Sequence, residues 1–200
     1  MTKIIVFEGI DYSGKSTVIR GLVKENSLLQ YHRGMFSKNS YCRTLVKIGD
    51  MENSFKQREL YYTLALLIDS YLCLTRKLPE GIFLQDRHYQ SVIAYGKVFC
   101  REESIYNKLD LTTLFIAPNL TILLKCSHEE RLRRARERNS CSTLDRKILI
   151  EKDNSMKVEE ELEGLVIKEP HKLIIDTTNL SLIEVLKMIK EDRDYKKIIN

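Results

Sequence analysis

The stretch Gly9-Ile10-Asp11-Tyr12-Ser13-Gly14-Lys15-Ser16 decides the fold, because it matches G-x-x-x-x-G-K-[S/T] at every fixed position. The apolar run Ile4-Ile5-Val6-Phe7 precedes it and suits a strand buried on both faces of a parallel sheet. A helix is expected to follow and to run to about Asn26. A glycine-rich turn in this setting directs backbone N–H groups and the positive end of a helix at phosphate oxygens. We therefore predict a nucleotide-binding phosphate loop rather than a chance glycine-rich turn.

Two side chains of this loop have expected roles in phosphate chemistry. Lys15 should reach the β- and γ-phosphates of ATP, and the Ser16 hydroxyl should ligate Mg²⁺. The predicted cofactors are therefore ATP and Mg²⁺.

Strand and helix patterns alternate along the rest of the chain. Further short apolar runs predict strands at Ile82–Leu84, Leu120–Leu124 and Leu173–Ile175. Between them, helical spacing predicts helices at Asn53–Lys77, from Ser127 onward with a capping box to Glu130, and at Ser181–Lys190. This alternation indicates an α/β domain with a mainly parallel sheet covered on both sides. No composition shift marks a boundary, so residues 1–200 are predicted to form a single domain.

Composition narrows the classes of partner. The 200 residues are 43% hydrophobic with a net charge of +5, which favours anionic partners without choosing between nucleotides and nucleic acids. No apolar run approaches the roughly 18 residues needed to span a bilayer, and no secretory signal is recognisable, so we expect a cytoplasmic protein without membrane contacts. The five cysteines are scattered, which fits reduced thiols better than a metal site or disulfides. The basic C-terminal segment (Lys187, Lys190, Arg193, Lys196, Lys197) is expected to be a solvated helix end, and no nucleic-acid partner is expected.

Several segments resemble the thymidylate kinase family of P-loop nucleoside monophosphate kinases. Phe7–Thr17 is similar to the family's opening, and Asp86–Tyr95 resembles its Asp-Arg-Tyr/His segment with the downstream Ser and Ala-Tyr. The similar segments further along are Pro118–Thr121, Arg134–Arg138, Leu144–Arg146 and Ile175–Thr178. The resemblance runs from Phe7 to about residue 190 in the right order. It implies a P-loop kinase fold with a five-stranded, mainly parallel sheet, helices on both faces and a mobile lid at about residues 138–147.

The implied activity is ATP-dependent phosphoryl transfer to a nucleoside monophosphate, with dTMP as the first choice. Small-molecule nucleotides would be the substrates, and a homodimer packed through helices is possible by resemblance. The residues that would carry catalysis are Lys15, Asp86, Arg87, Arg138 and Arg146. Those expected to bind ATP are Gly9, Asp11, Tyr12, Ser13, Gly14, Lys15, Ser16, Thr17, Arg134 and Thr178. Those expected at the acceptor are Asp11, Arg33, Tyr61, Arg87, Ser91 and Tyr95, and the metal would contact Ser16 and Asp86.

The Asp86-Arg87 pair stands at the C-terminal end of a strand, where open α/β sheets bind ligands. The planar guanidinium of Arg87 would bind the acceptor phosphate through two parallel hydrogen bonds. Asp86 would orient Arg87 and help to hold the water shell of Mg²⁺. The alternative is a surface ion pair in a loop. By resemblance, Asp11 would meet the 3′-hydroxyl of the acceptor sugar, or else cap the turn of the loop. Tyr12 stands where some members carry a catalytic arginine, so Arg138 and Arg146 are the candidate replacements.

The acceptor side departs from the family pattern at three places. Arg33 is kept from the family's Arg-Glu-Pro segment, but the proline is absent. The arginine that the family uses to bind thymine has no counterpart, since no Arg or Lys lies between Arg58 and Arg76; Tyr61 or Tyr62 could stack on a base. An acidic run, Glu159–Glu161, replaces the tyrosine usual after the lid. Another pyrimidine, a modified nucleotide or another phosphorylated molecule therefore stays open as the acceptor.

The sequence leaves two other functions open. A kinase of the same fold could phosphorylate a hydroxyl group on a deoxynucleoside or a hydroxymethylated base, with Glu8 or Asp86 as the base that removes the proton. A nucleotide-binding module without turnover belongs to a different class. Intact Lys15, Ser16, Asp86 and Arg87 argue against the module.

Overall fold

Five parallel strands form one sheet in the order β2-β3-β1-β4-β5. The computed structural model describes residues 2–33, 40–75, 80–137 and 151–200. The strands are β1 (Thr2–Glu8), β2 (Leu29–Arg33), β3 (Gly81–Asp86), β4 (Leu120–Lys125) and β5 (Lys172–Asp176). All four strand pairings are parallel, so the predicted mainly parallel sheet is confirmed.

Helices connect the strands. They are α1 (Lys15–Glu25), α2 (Ser40–Met51), α3 (Phe55–Thr75), α4 (Tyr89–Cys100), α5 (His128–Glu137), α6 (Lys152–Val166), α7 (Leu182–Glu191) and α8 (Arg193–Ile199). Short 3₁₀ turns lie at Arg101–Glu103, Ile105–Asn107 and Thr112–Leu114. Within the described residues, no helix is long and apolar enough to cross a membrane. The expected lid at 138–147 lies outside the described residues.

The two faces of the sheet carry different helices. On one face, α1, α7 and α8 pack on Ile5 and Phe7 through a buried cluster. On the other, α4 and α6 contribute Ala94, Val158, Leu162 and Val166 to a cluster that also contains Leu123. Because both faces are covered, β1 is apolar at consecutive positions instead of alternating. The predicted arrangement of helices on both faces is confirmed.

The register between β1 and β3 places the phosphate loop next to the turn that contains Arg87. In the sheet, Phe7 pairs with Asp86, and Glu8 pairs with Leu123. The phosphate loop after β1 and the turn after β3 therefore leave the same edge of the sheet side by side. This edge holds the C-terminal ends of the strands, where ligands bind in open α/β sheets.

One predicted helix start differs from the structure. The hydroxyl of Ser127 does accept a hydrogen bond from the Glu130 N–H at 3.2 Å, as expected. The Glu130 carboxylate, however, binds Arg133 and Arg134 at 2.7 and 2.8 Å instead of returning to the start of α5. The expected capping box is therefore only half formed, because two arginines compete for its carboxylate. The complete box lies at Ser181 and Glu184, at the start of α7.

His88 is a buried imidazole in the turn between β3 and α4. Its Nε2 lies 2.9 Å from the Ile116 carbonyl oxygen, and its ring meets Tyr89 and Phe115 edge-on. Burial lowers the pKa of His88 to about 4, against the opposing effect of the Ile116 carbonyl. The native state thus holds a neutral imidazole at neutral pH.

We expect the stability that comes from this neutral His88 to be lost as the pH falls from about 6.5 towards 4, because unfolding allows the ring to take up a proton. The free energy of unfolding, measured by urea titration at pH 6.5 and 4.5, should fall by about 2 kcal/mol more in the native sequence than in His88→Gln. An equal acid loss with and without His88 would contradict the assignment.

Candidate active site

The phosphate loop has a backbone that requires its glycines. Gly9 has φ 141°, and a Cβ atom there would lie 2.4 Å from the Leu124 carbonyl oxygen. Gly14 has φ 99° directly before α1. Tyr12 also adopts a left-handed φ of 67°, at a cost of about 1–2 kcal/mol for a residue with a side chain. The loop is therefore a shaped, partly strained turn at the N-terminus of a helix, as phosphate binding requires.

Lys15 lies inside the loop. Its ammonium donates hydrogen bonds to the carbonyl oxygens of Gly9 at 2.7 Å and Ile10 at 2.9 Å, and the residue is buried. Burial and then repulsion from Arg87 lower the pKa of Lys15 to about 8, although Asp86 and Asp11 favour its charged form. The ammonium is thus held at the loop with incomplete compensation of its charge.

Ser16 and Asp86 meet across the sheet edge, as the metal prediction required. The Ser16 hydroxyl donates to Asp86 Oδ2 at 2.7 Å, and the Tyr31 hydroxyl donates to the same oxygen at 3.2 Å. A hydroxyl and a carboxylate oxygen are the hard ligands that Mg²⁺ prefers, so this pair fits the ion. The structure contradicts the prediction that Asp86 orients Arg87, because the guanidinium hydrogen bonds of Arg87 within the described residues run to Asp11 and Ser91.

Arg87 is held instead by the phosphate loop and by α4. Its guanidinium donates to Asp11 Oδ1 at 2.5 Å through Nη2 and to Ser91 Oγ at 3.0 Å through Nη1. The ring of Tyr95 lies under it, 5.4 Å from Cζ to the ring centroid. Three predicted acceptor residues, Asp11, Ser91 and Tyr95, therefore contact a fourth, Arg87, which itself adopts a left-handed φ of 72°.

Arg87 and Asp11 each shift the pKa of the other. Burial would raise the pKa of Asp11, but Arg87 and Lys15 together hold that pKa below its ordinary value. Asp11, in turn, raises the pKa of Arg87 well above its ordinary value against the effect of burial. Both groups are thus charged at neutral pH. The Tyr95 hydroxyl adds a hydrogen bond to Asp11 Oδ2 at 3.3 Å.

Glu8 cannot serve as the base that was considered for a hydroxyl acceptor. Its side chain is fully buried and accepts hydrogen bonds from the His88 N–H at 2.7 Å and from the Ser91 hydroxyl at 2.5 Å. Burial raises the pKa of Glu8, while Ser91, Arg87 and His88 oppose this. A carboxylate that is closed off from solvent and occupied by these donors has no path to a substrate proton, so that part of the prediction is wrong.

The donor side is completed by the loop after β5. Arg134 Nη1 donates to the Tyr12 carbonyl oxygen at 3.3 Å and to Thr177 Oγ1 at 3.1 Å, and its Nε donates to Glu130 at 2.8 Å. Sequence reasoning missed Thr177, whose hydroxyl also bonds the Ser13 carbonyl oxygen at 3.0 Å. The signal was available, since Thr177 lies inside the quoted segment Ile175–Thr178.

Thr178 and Thr17 occupy supporting positions on this side. The Thr178 hydroxyl contacts Asp176 and accepts a hydrogen bond from the Ser127 N–H at 2.9 Å, which joins the loops after β4 and β5. Thr17 lies in the first turn of α1, where its N–H bonds the Gly14 carbonyl oxygen at 3.1 Å. The ATP-binding roles of both residues stay predictions.

Helices α2 and α3, which carry the predicted acceptor residue Tyr61, pack against each other. Tyr61 lies against Gly49 of α2. The Tyr62 hydroxyl donates a hydrogen bond to the Asp50 carboxylate. Burial and this carboxylate raise the pKa of Tyr62, while the charge of Arg87 lowers it. Tyr62, which feels the charge of Arg87, is thus a candidate for the acceptor site beside Tyr61.

Three residues predicted for the site are described only in part or lie outside the described residues. Arg138 and Arg146 lie outside the described residues. Arg33 ends β2 opposite Asp86 in the register, and only its backbone is described. Among the described cysteines, four are free thiols: Cys42, Cys73, Cys100 and Cys126.

A family model and two curated relatives all point to the same protein family. A family model described as thymidylate kinase matches residues 7–189. A probable thymidylate kinase of Methanococcus aeolicus is 28% identical over 208 residues and covers 100% of both chains. A second, of Sulfolobus acidocaldarius, is 29% identical over 152 residues, covering 72% of this chain and 75% of that protein.

Two solved structures share the fold. Candida albicans thymidylate kinase has a TM-score of 0.67 at 17% identity and covers 97% of this chain and 93% of its own. Deoxyadenosine kinase from M. mycoides has a TM-score of 0.66 at 16% identity, covering 93% and 96%. The predicted P-loop kinase fold is confirmed.

The lowered pKa of Lys15 predicts a pH dependence of ATP binding. Above about pH 8, the free protein loses the Lys15 proton and must regain it to neutralise phosphate, so the Kd for ATP should rise by about tenfold per pH unit. Calorimetry from pH 7 to 9.5, in buffers of different ionisation enthalpy, should show proton uptake on binding above pH 8. A Kd that stays constant to pH 9.5 without proton uptake would contradict this account of Lys15.

Proposed function

Because the chain belongs to the thymidylate kinase family, we propose that it transfers the γ-phosphoryl group of ATP to dTMP, giving dTDP and ADP. It is a nucleoside monophosphate kinase, and its substrates are small nucleotides. The observation that carries the proposal is the position of Arg87, whose guanidinium is bonded to Asp11 of the phosphate loop. The group suited to the acceptor phosphate therefore lies next to the loop suited to ATP.

The reaction needs alignment and charge neutralisation more than proton transfer. An oxygen of the dTMP phosphate attacks the γ-phosphorus, and the bond between that phosphorus and the bridging oxygen of ADP breaks. A phosphate oxygen is already deprotonated, so no general base is required. Arg87 would hold the attacking phosphate with its fork, and Lys15 would neutralise the β- and γ-phosphates.

Mg²⁺ would be held beside the same phosphates. The Ser16 hydroxyl would ligate it, and Asp86, which now accepts the hydrogen bond of Ser16 at 2.7 Å, would hold its water shell. When bound, the ion neutralises charge on the phosphate oxygens of ATP. Arg134, Thr177 and Thr178 would border the adenosine end, since Arg134 joins the phosphate loop to the loop after β5.

The remaining cation would come from the segment between α5 and α6. Tyr12 occupies the position of the loop arginine found in some family members, and its side chain cannot neutralise phosphate. Arg138 and Arg146 are proposed to supply the positive charge that the transition state requires. Their contribution stays a prediction.

The hydroxyl-acceptor alternative has lost one of its two candidate bases. Glu8 is enclosed, and Asp86 already accepts hydrogen bonds from Ser16 and Tyr31. The family match and the names of both relatives favour a phosphate acceptor and turnover. Selection of the base is proposed to rest on Tyr61 and Tyr62, in place of the missing arginine.

A homodimer is proposed on the basis of exposed apolar side chains along α2 and α3. They include Tyr41, Met51, Leu60, Leu64 and Tyr71. A second copy packed along these helices would remove them from water, which is the usual fate of such an apolar face. A single domain over residues 1–200 and a cytoplasmic location stay predictions.

The direct test is ADP release from ATP and Mg²⁺ with a panel of acceptors: dTMP, dUMP, dCMP, dAMP, dGMP and thymidine. dTMP should give the highest kcat/KM, and Lys15→Ala should reduce turnover with it by about a thousandfold or more, because the phosphate contact is lost. Arg87→Ala should raise the KM for dTMP far more than the KM for ATP. Preference for thymidine would favour the hydroxyl acceptor. ATP binding without turnover on any of these acceptors would contradict the proposed function.

A further inference from the structure

Glu8 is a fully buried carboxylate that accepts hydrogen bonds from His88, directly after Arg87, and from Ser91, which in turn bonds the Arg87 guanidinium. It ends β1, one residue before the phosphate loop. Its Oε1 accepts the His88 N–H at 2.7 Å and the Ser91 N–H at 3.4 Å. Its Oε2 accepts the Ser91 hydroxyl. These donors come from the residue directly after Arg87 and from the first turn of α4.

The backbone of Arg87 is left-handed and needs external support. The Arg87 N–H bonds the Phe7 carbonyl oxygen at 2.9 Å, and Gln85 Nε2 bonds the Arg87 carbonyl oxygen at 2.9 Å. Glu8 fixes the next N–H, that of His88, so the peptide units on both sides of Arg87 are tied down. A left-handed residue with a side chain persists only where its surroundings determine it in this way.

The side chain of Arg87 is fixed through the direction of one hydroxyl. Ser91 has a single hydroxyl hydrogen, which it donates to the Glu8 carboxylate. Its oxygen is therefore left as an acceptor, and Arg87 Nη1 donates to it at 3.0 Å. The hydrogen bonds therefore run in one direction, from Arg87 through Ser91 to Glu8.

We propose that Glu8 is a positioning residue that sets Arg87 to receive the acceptor phosphate, acting through the Ser91 hydroxyl and the His88 N–H. The inference rests on the proposed function, because it assigns Arg87 to the acceptor. The proposed role of Glu8 differs from that of Asp11, because Asp11 bonds the Arg87 guanidinium directly from the phosphate loop. Glu8 acts from inside the sheet and makes no contact with substrate.

Glu8→Gln is the sharpest variant because it keeps the shape of the side chain. Its amide oxygen can still accept the backbone N–H groups, but its NH₂ group faces Ser91 as a donor. The Ser91 hydroxyl then has no acceptor at position 8 and its rotation is no longer fixed, so orientations in which its hydrogen faces Arg87 compete with the bond from Nη1 and weaken it. We expect the KM for dTMP to rise about tenfold or more, and the KM for ATP to change less than about twofold.

Glu59→Gln provides a matched control elsewhere in the fold. Glu59 is also buried, at 5% exposure, and also accepts a serine hydroxyl (Ser104) and a backbone N–H (Ile105, 3.1 Å). Those partners lie in the turns after α4 and do not contact Arg87. Glu59→Gln should lower the melting temperature and leave the KM for dTMP unchanged, which separates positioning from loss of stability.

Removal of Ser91 tests the route. Ser91→Ala should raise the KM for dTMP by itself, and Glu8→Gln added to it should have a smaller further effect than in the native background, because the hydroxyl that transmits it is absent. A full tenfold effect of Glu8→Gln in the Ser91→Ala background would overturn the proposed route. So would an equal rise of both KM values in Glu8→Gln.

A readout independent of turnover is the NMR signal of the Arg87 guanidinium in ¹⁵N-labelled protein, assigned by its loss in Arg87→Lys. The Nη1 group should be restricted in the native chain and in Glu59→Gln and should rotate faster in Glu8→Gln, while Nη2 stays held by Asp11 in all three. An unchanged signal in Glu8→Gln would refute the inference even if dTMP is a substrate. Absence of dTMP turnover in the native protein would refute the proposed function while the NMR comparison still decides the role of Glu8.

Discussion

The ion pair between Arg87 and Asp11 connects the two halves of the site, and it exists because β1 and β3 are parallel neighbours in one register. Phe7 pairs with Asp86, so the turns that follow these strands leave the sheet side by side. One turn holds the phosphate loop, and the other holds a guanidinium in a left-handed residue. A slip of one residue between β1 and β3 would separate Asp11 from Arg87 and reverse the faces of every side chain in β1.

The electrostatic balance of the site follows from this pair. Three carboxylates lie near two cations at this edge of the sheet: Glu8, Asp11 and Asp86 near Lys15 and Arg87. Their charges act on the pKa values of Glu8, Asp11, Lys15 and Arg87. Among these five described groups, the cations do not outnumber the carboxylates. Additional positive charge from Mg²⁺ and from arginines after α5 is therefore consistent with the proposed reaction.

Sequence reasoning was strongest where chemistry requires local backbone geometry. Gly9, Gly14 and Lys15 could be placed because strand, turn and helix are consecutive, and the register of the sheet then brought Ser16 to Asp86. The partners of Arg87 could not be read in this way. Its neighbour Asp86 is adjacent in sequence, but the left-handed backbone at Arg87 sends the two side chains to different partners.

The burial of Glu8 could not be predicted from the sequence either, because the packing of α4 on the end of β1 encloses its carboxylate. At the start of α5, two arginines compete for Glu130, which a capping pattern does not reveal. These differences share one cause: side chains with several possible partners are assigned by tertiary packing.

The account is tested most directly by a crystal structure of the protein with dTMP and a non-hydrolysable ATP analogue with Mg²⁺. It predicts that the Arg87 guanidinium makes a forked contact with the phosphate of dTMP while its backbone keeps a positive φ and its bond to Ser91. The ATP analogue should lie on the phosphate loop with its terminal phosphate facing dTMP. A dTMP phosphate bound away from Arg87, or Arg87 turned out to solvent in that complex, would contradict the account.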